Sequence, residues 1–246
     1  MFRFDSIAAI RAAEIEVIVP YFMPGGRILE IGAGTGQQAL ELSRRGFDVK
    51  AIEVASSSYR EARVFPVSEY NGQHIPFPDH SFDFVFSSNV LEHVVDLPAL
   101  NREIHRVLRD GGFAVHVMPT HIWRLWTTLT LMPAGFQYLF AGPAAIAAWP
   151  SAAINRSKSL SYKLRRFLGR HGEHGNLLSE HWLFHPNRWR RAFRRDGFEI
   201  IEERPLGIFY TGNLLLGTTL SIDQRMRLAR ILGSACRLYV LRVIDC

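Results

Sequence analysis

The stretch that most limits what this chain can fold into is Gly32-Ala33-Gly34-Thr35-Gly36, together with what flanks it. Ile28-Leu29-Glu30-Ile31 is a short, β-branched apolar run of the kind that forms a buried strand. The glycines then let the backbone bend sharply and leave its main-chain atoms open to close approach by a ligand. From Gln37 to Arg45 the pattern turns helical, with Ala39, Leu40 and Leu42 on one side, and Gly46 stands where a helix stop belongs. A second apolar run, residues 49–54, carries an acid, Glu53, near its end. Strand, glycine turn, helix and acid-tipped strand make the nucleotide-binding half of an open α/β sheet, with the ligand at the carboxyl ends of the strands.

Glycine spacing narrows the ligand. A dinucleotide fingerprint, G-x-G-x-x-G, seats a pyrophosphate on the helix N-terminus. Counted from Gly32, its third glycine would fall on Gln37, whereas this chain places it at Gly36. Gly-Ala-Gly-Thr-Gly preceded by Glu30 resembles the first motif of the class I S-adenosylmethionine-dependent methyltransferases. The resemblance implies S-adenosyl-L-methionine as cofactor, with Glu30, Gly32, Ala33, Gly34 and Gly36 around its amino-acid tail and Glu53 with Val54 at its ribose. Downstream, Ile75-Pro76-Phe77-Pro78-Asp79-His80-Ser81-Phe82-Asp83 resembles the "LPFPDxSFD" turn of the branch labelled type 11. There an acid a few residues upstream receives the adenine amino group. The matching position here is Asn71, whose amide oxygen can also accept, with Gly72 beside it offering a backbone N–H. Ser87 and Ser88 end the next strand on the cofactor side. Val90-Leu91-Glu92-His93-Val94 resembles the "xLEHV" segment of the same branch, which turns His93 either toward the transferable methyl or into helix packing.

The remaining pattern extends the fold. Residues 6–21 read as a helix with a packing role, 56–62 as a short helix and 64–67 as a third strand. Residues 82–86 read as a fourth strand, 96–108 as a helix stopped by Asp110-Gly111-Gly112, and 113–118 as a fifth strand in which His116 is a packed neighbour. Residues 186–196 read as a helix, 198–202 as a sixth strand, 221–232 as a helix with Ser221 as its cap, and 238–244 as a seventh strand. The expected fold is a doubly wound, seven-stranded, mainly parallel sheet, Rossmann-like as in the methyltransferases. We expect a single domain over 1–246, an inserted apolar and basic cap at 119–185 after the fifth strand, and a second insertion at 205–235.

The cap has three parts. Residues 121–150 are very apolar but broken by Arg124, Pro133, Gly135, Gly142 and Pro143, too short in any piece to span a membrane. Trp123, Trp126, Tyr138 and Trp149 suit either a membrane interface or the wall of a hydrophobic pocket. The segment from Arg156 to Arg170 holds six basic residues and no acid, the character of an anionic-lipid contact. The third part is dense in His171, Glu173, His174, Glu180, His181 and His185. A hydroxyl acceptor needs a base within hydrogen-bond reach, for which His174, His181 and Glu173 are the candidates. No spacing among them matches a zinc signature, so no metal is expected.

Net charge of +6 and a pI near 9.7 raise nucleic acid or an anionic membrane surface as partners. The basic run from Arg188 to Arg195 reads more simply as a solvated helix face. Nucleic acid is disfavoured because the fourth strand ends in Ser87-Ser88-Asn89-Val90 rather than the Asn/Asp-Pro-Pro-aromatic turn of base-amine methyltransferases. Two cysteines, Cys236 and Cys246, make no disulfide framework, and the charged first residues lack a secretory core. The resulting expectation is a cytoplasmic enzyme, peripheral to the inner face of a membrane. It would methylate a small-molecule or lipid-like acceptor, by O-methylation of a lipid or lipid-linked glycan. An RNA or DNA methyltransferase and a non-catalytic cofactor-binding regulator remain the alternatives. Oligomeric state is not legible.

Overall fold

The computed structural model describes residues 2–130, 171–176, 178–212 and 219–244, with side chains from residue 7 onward. Most of the expected apolar hairpin (131–150), the basic segment Arg156 to Arg170, residues 213–218 of the second insertion and Cys246 lie outside the described residues.

Seven strands form one sheet in the order β3-β2-β1-β4-β5-β7-β6. They are β1 (Arg27–Ile31), β2 (Asp48–Val54), β3 (Ser68–Tyr70), β4 (Phe82–Ser88), β5 (Leu108–Pro119), β6 (Phe198–Pro205) and β7 (Cys236–Val243). β1 to β5 are parallel, and β7 runs antiparallel between β5 and β6. Parallel strands are covered on both faces, so their residues alternate between two cores rather than between core and water. Ile28, Phe84, Phe86, Val115 and Val117 face one core, shared with Ile15 and Ile18 of helix α1 (Phe2–Ile18) and Ala39 and Leu42 of α2 (Gln37–Arg44). Leu29, Ile31, Val85 and Ala114 face the other, shared with Leu100, Ile104 and Val107 of α3 (Leu97–Val107).

The remaining described helices are α4 (His121–Leu129), α5 (Glu180–Leu183), α6 (Pro186–Arg195) and α7 (Ile222–Leu232). α6 puts Trp189 and Phe193 into the second core. α7 opens on a reciprocal cap: Ser221 Oγ accepts from the Gln224 N–H, and Gln224 Oε1 accepts from the Ser221 N–H.

Three local expectations are corrected. Residues 64–67 are not strand; the third strand is Ser68–Tyr70, because the chain first ties Val64 N–H back to the Thr35 carbonyl at 2.8 Å. Of the short helix expected over 56–62, only a single 3-10 turn at Arg60–Ala62 forms. The Asp110-Gly111-Gly112 stop lies within β5, since α3 already ends at Val107 and Leu108 pairs with Phe82 across an irregular register. No helix among the described residues is long and apolar enough to cross a membrane.

Candidate functional site

Leaving β1, the chain turns through Gly32, Gly34 and Gly36 at φ 70°, 56° and 76°, a left-handed region that side-chain-bearing residues resist. Space is as restrictive as conformation. A Cβ on Gly32 would lie 2.4 Å from Val90 Cγ2, and one on Gly36 2.8 Å from Phe65 Cβ. The turn hangs from β2, with Gly32 and Ala33 N–H both donating to the Ile52 carbonyl at 2.9 and 3.1 Å. Glu53 closes the cradle: one carboxylate oxygen accepts from Gly34 N–H and the other from Val54 N–H, each at 2.8 Å. Each oxygen retains lone-pair capacity for a further donor such as a ribose hydroxyl. The Tyr59 ring lies beside the same glycine, 3.5 Å from where a Gly34 Cβ would be.

Glu30 is 3% exposed. Burial pushes its carboxyl up to about 8, against the pull of the Ala39 N–H in the first turn of α2. Its Oε2 has no hydrogen-bond partner among the described residues. A buried carboxyl with an unmet oxygen beside the glycine turn is an acceptor that the ammonium of an amino-acid tail can use. The residues present therefore fit the expected cofactor at this end.

At the adenine end one expectation changes. Asn71 Oδ1 already accepts from Gln73 N–H at 2.9 Å and His74 N–H at 2.8 Å, closing an Asx turn. That oxygen is occupied by its own loop, which leaves the side-chain NH2 to face a ligand. Gly72, at φ 80°, lets the loop close over Val54, whose Cγ1 would lie 3.4 Å from a Cβ at Gly72.

The two serines at the end of β4 separate, as strand alternation requires. Ser87 is fully buried, and its hydroxyl pairs with His116 Nδ1 at 2.8 Å on β5. Burial pushes the His116 imidazole down to about 3, so this pair is neutral structure, and the Ser87 side chain is committed to it, leaving the main chain of Ser87 as the part at the sheet edge. Ser88 instead joins a polar network. It accepts from Arg11 Nη1 at 2.8 Å and donates to Glu14 at 3.1 Å. Asn89, at φ 54°, turns its amide oxygen to the Arg11 guanidinium at 2.6 Å. Tyr210 reaches Cys236 Sγ at 2.9 Å and Glu14 at 3.4 Å. Burial and then the neighbouring thiol raise the Tyr210 phenol well above its ordinary value. Sequence reading assigned α1 to packing alone and missed Arg11 and Glu14. The available signal was an acid on the buried stripe of Ile10, Ile15 and Ile18.

Of the histidine-rich part, the structure brings His171 and Glu173 to the end of β4. Glu173 N–H donates to the Glu92 carbonyl at 2.8 Å. Glu180, fully buried, accepts from the N–H groups of His171 and Gly172 and pairs with Arg124 of α4 at 3.0 Å. His93 and His171 meet with ring centroids 4.9 Å apart, both directed at the Glu92 carboxylate. Burial lowers the His93 imidazole, against the pull of Glu92. His174 and His181 stand apart from this group. His174 is exposed, 3.4 Å from the Val95 carbonyl, and His181 lies on α5 where burial and then Arg124 depress it. The structure thus gathers His93, His171 and Glu173 at Glu92, while His174 lines the cleft that opens from the same residue.

From Glu92 a cleft of about 350 Å³ opens between α3, α5 and α6. Leu91, Val95, His174, Leu183 and Phe184 line it, and Arg188, Arg191 and Arg195 also border it.

Residues 29–116 match the family model described as a methyltransferase domain. An uncharacterized methyltransferase of Mycobacterium sp. (strain KMS) is 39% identical over 100 residues, 37% of this chain and 38% of that protein. A demethylmenaquinone methyltransferase of Corynebacterium glutamicum is 29% identical over 147 residues, 53% of this chain and 64% of that protein. The chain thus spans less than two thirds of the length of these curated relatives. A crystal structure of an S-adenosylmethionine dependent methyltransferase from Mesorhizobium loti superposes with a TM-score of 0.55 at 19% identity, over 94% of this chain and 97% of that one. The fold is shared.

Proposed function

We propose, from the premise that residues 29–116 are a methyltransferase domain of the class I, type 11-like family, that this chain is an S-adenosylmethionine-dependent methyltransferase acting on a hydroxyl of an amphipathic small molecule. The observation that carries the cofactor assignment is Glu53 bridging Gly34 N–H and Val54 N–H beneath a left-handed glycine turn. When bound, the cofactor supplies a methyl on a sulfonium that leaves as a neutral thioether. The protein's share is position and dryness: Gly32 to Gly36 accept the amino-acid tail, Glu30 its ammonium, Glu53 the ribose, and Tyr59 and Gly72 flank the rest.

The acceptor class follows from the cleft at Glu92, whose apolar wall and arginine border suit a molecule with an apolar body and an anionic group. A lipid or lipid-linked glycan has that chemistry. With a charge of +6, the protein would meet it at an anionic membrane surface. This part of the reading rests on the chain's own residues.

Labelled-methyl transfer into a cell extract, fractionated into lipid, RNA and protein, tests it. Label in the lipid fraction is expected. Label in RNA would establish the nucleic-acid alternative, and binding of cofactor without any transfer would establish the regulatory one.

A further inference from the structure

Glu92 is the most anomalous side chain in the described structure. Its carboxylate has no solvent exposure, and neither Oε1 nor Oε2 has a hydrogen-bond partner among the described residues. A buried carboxylate without donors is costly, and natural structures pair it with a cation. Two imidazoles face it. His93 Nε2 lies 3.7 Å and His171 Nε2 3.8 Å from Oε1, too far for hydrogen bonds, and the ligating atoms of all three residues lie within 4.8 Å of one another. Ligand atoms in a tetrahedral zinc-type site stand roughly 3.4 Å apart, given bonds of about 2.1 Å. The two imidazole-to-carboxylate spacings are a few tenths of an ångström wider than that, and all three ligand atoms lie within 4.8 Å of one another, a spread that must contract around a bound ion.

From these atoms we propose that Glu92, His93 and His171 form a binding site for a divalent transition-metal ion of the zinc type, open to solvent at the remaining coordination positions. The donor set is two imidazoles and one carboxylate, the composition found where zinc keeps an open position for water or substrate. Openness follows from exposure: the His93 and His171 side chains are 44% and 36% exposed while the carboxylate is sealed.

The scaffold is built for the arrangement. Glu92 and His93 are consecutive, and His171 arrives from a segment seventy-eight residues later. That segment is held in place by Glu180, which accepts its N–H groups, and by the Glu173 N–H on the Glu92 carbonyl at 2.8 Å. Gly172 allows the approach, since a Cβ there would lie 2.8 Å from the Glu92 carbonyl oxygen. Trp123 and Phe184 wall the His171 ring at centroid distances of 4.5 and 6.2 Å. Val90, two residues before Glu92, packs on Gly32, which puts the site beside the cofactor turn and at the mouth of the acceptor cleft.

A metal here deepens the proposed function, and this step rests on that reading. An acceptor hydroxyl placed on an open coordination position loses its proton to water at a much lower pH, its O–H electron pair passing to an oxygen bound by the ion. The nucleophile is then generated without a dedicated protein base.

The test is titration of tag-free, chelator-treated full-length protein with Zn(II) and Co(II), followed by calorimetry and by the visible absorption of cobalt, in the absence of cofactor. One equivalent should bind, with the intense bands of a four-coordinate cobalt centre. Affinity should fall about a hundredfold or more in His93→Ala and His171→Ala, at least the upper end of what losing even a supporting group costs. His80→Ala, on the far turn, should bind as the unaltered protein does. Absence of saturable binding, or binding that survives both substitutions in variants that melt normally, overturns the proposal. S-adenosylmethionine titrated separately into the same samples distinguishes the readings. Cofactor bound without metal removes this inference alone, and metal bound without cofactor removes the methyltransferase reading.

Discussion

At the scale of single residues, the cofactor turn is governed by what glycine lacks. A Cβ at Gly32 would meet Val90 Cγ2 at 2.4 Å in a backbone already at φ 70°. Gly32→Ala should therefore cost about 1–3 kcal/mol in overpacking and weaken cofactor binding. Adding Val90→Ala should return part of the stability, as a thermal-melt double-mutant cycle would read. Glu30 makes a pH prediction. Its folded-state value near 8 stands above the usual 4.5, so between those values the unfolded chain is ionised while the folded one keeps its proton. Stability should fall as pH rises through that window, by up to about 5 kcal/mol in total, and Glu30→Gln should abolish the slope. Cofactor affinity should run the opposite way. A cationic ligand favours the ionised carboxylate, so calorimetric affinity should rise between pH 6 and 7.5 in the unaltered protein and stay flat in Glu30→Gln. The glycine spacing and Glu53 were legible because they are local constraints written in consecutive residues. The spent oxygen of Asn71 was not legible, because its partners are backbone groups of a turn whose closure depends on Gly72. Nor was the pairing of the Ser87 hydroxyl with His116, which joins strands twenty-nine residues apart.

At the scale of elements, legibility followed periodicity. α3, α6 and α7 fall within a residue or so of their expected bounds, as strong amphipathic patterns and caps at Asp96, His185 and Ser221 allow. β3 was misplaced because a three-residue strand, Ser68–Tyr70, carries no periodicity to read. The proline-rich turn from Ile75 to Asp83 was recognisable by its residues, but its anchor was not. Arg106 of α3 donates to the carbonyls of Ile75 and Phe77 and to Asp79, each at 2.8 Å. The coupling of α4 to α5 also spans a long sequence gap, through the buried Arg124–Glu180 pair. Glu180→Ala would remove the carboxylate paired with Arg124 and the oxygen that accepts the N–H groups of His171 and Gly172. A loss of about 3–5 kcal/mol is expected, seen as a lowered melting temperature, with the His171 loop becoming the first region to exchange its amide protons.

At the scale of the whole molecule, the expected doubly wound sheet of seven strands is the observed one, with β7 the antiparallel member. Architecture was legible because strand–helix alternation leaves few ways to cover both faces of a parallel sheet. Surface charge yields a prediction of its own. The purified protein should bind anionic liposomes at low salt and release them as ionic strength rises, whereas neutral liposomes should not bind. No binding at low salt would remove the membrane from the proposed function and leave the cleft reading intact.

The place of β7 has a consequence in time. Among the described residues β6 hydrogen-bonds to no strand but β7, and β7 is the later of the two along the chain. During synthesis β6 must wait, with its edge unpaired, until some thirty further residues have been made, and only then can both join β5. The same late arrival delivers Cys236 to Tyr210, beside the network that ties α1 to the end of β4. The ligand-binding edge is thus completed by contacts of high sequence separation, which form slowly. A chain that ends before Cys236 lacks both the partner of β6 and the thiol that meets Tyr210, so its ligand-binding edge is unfinished.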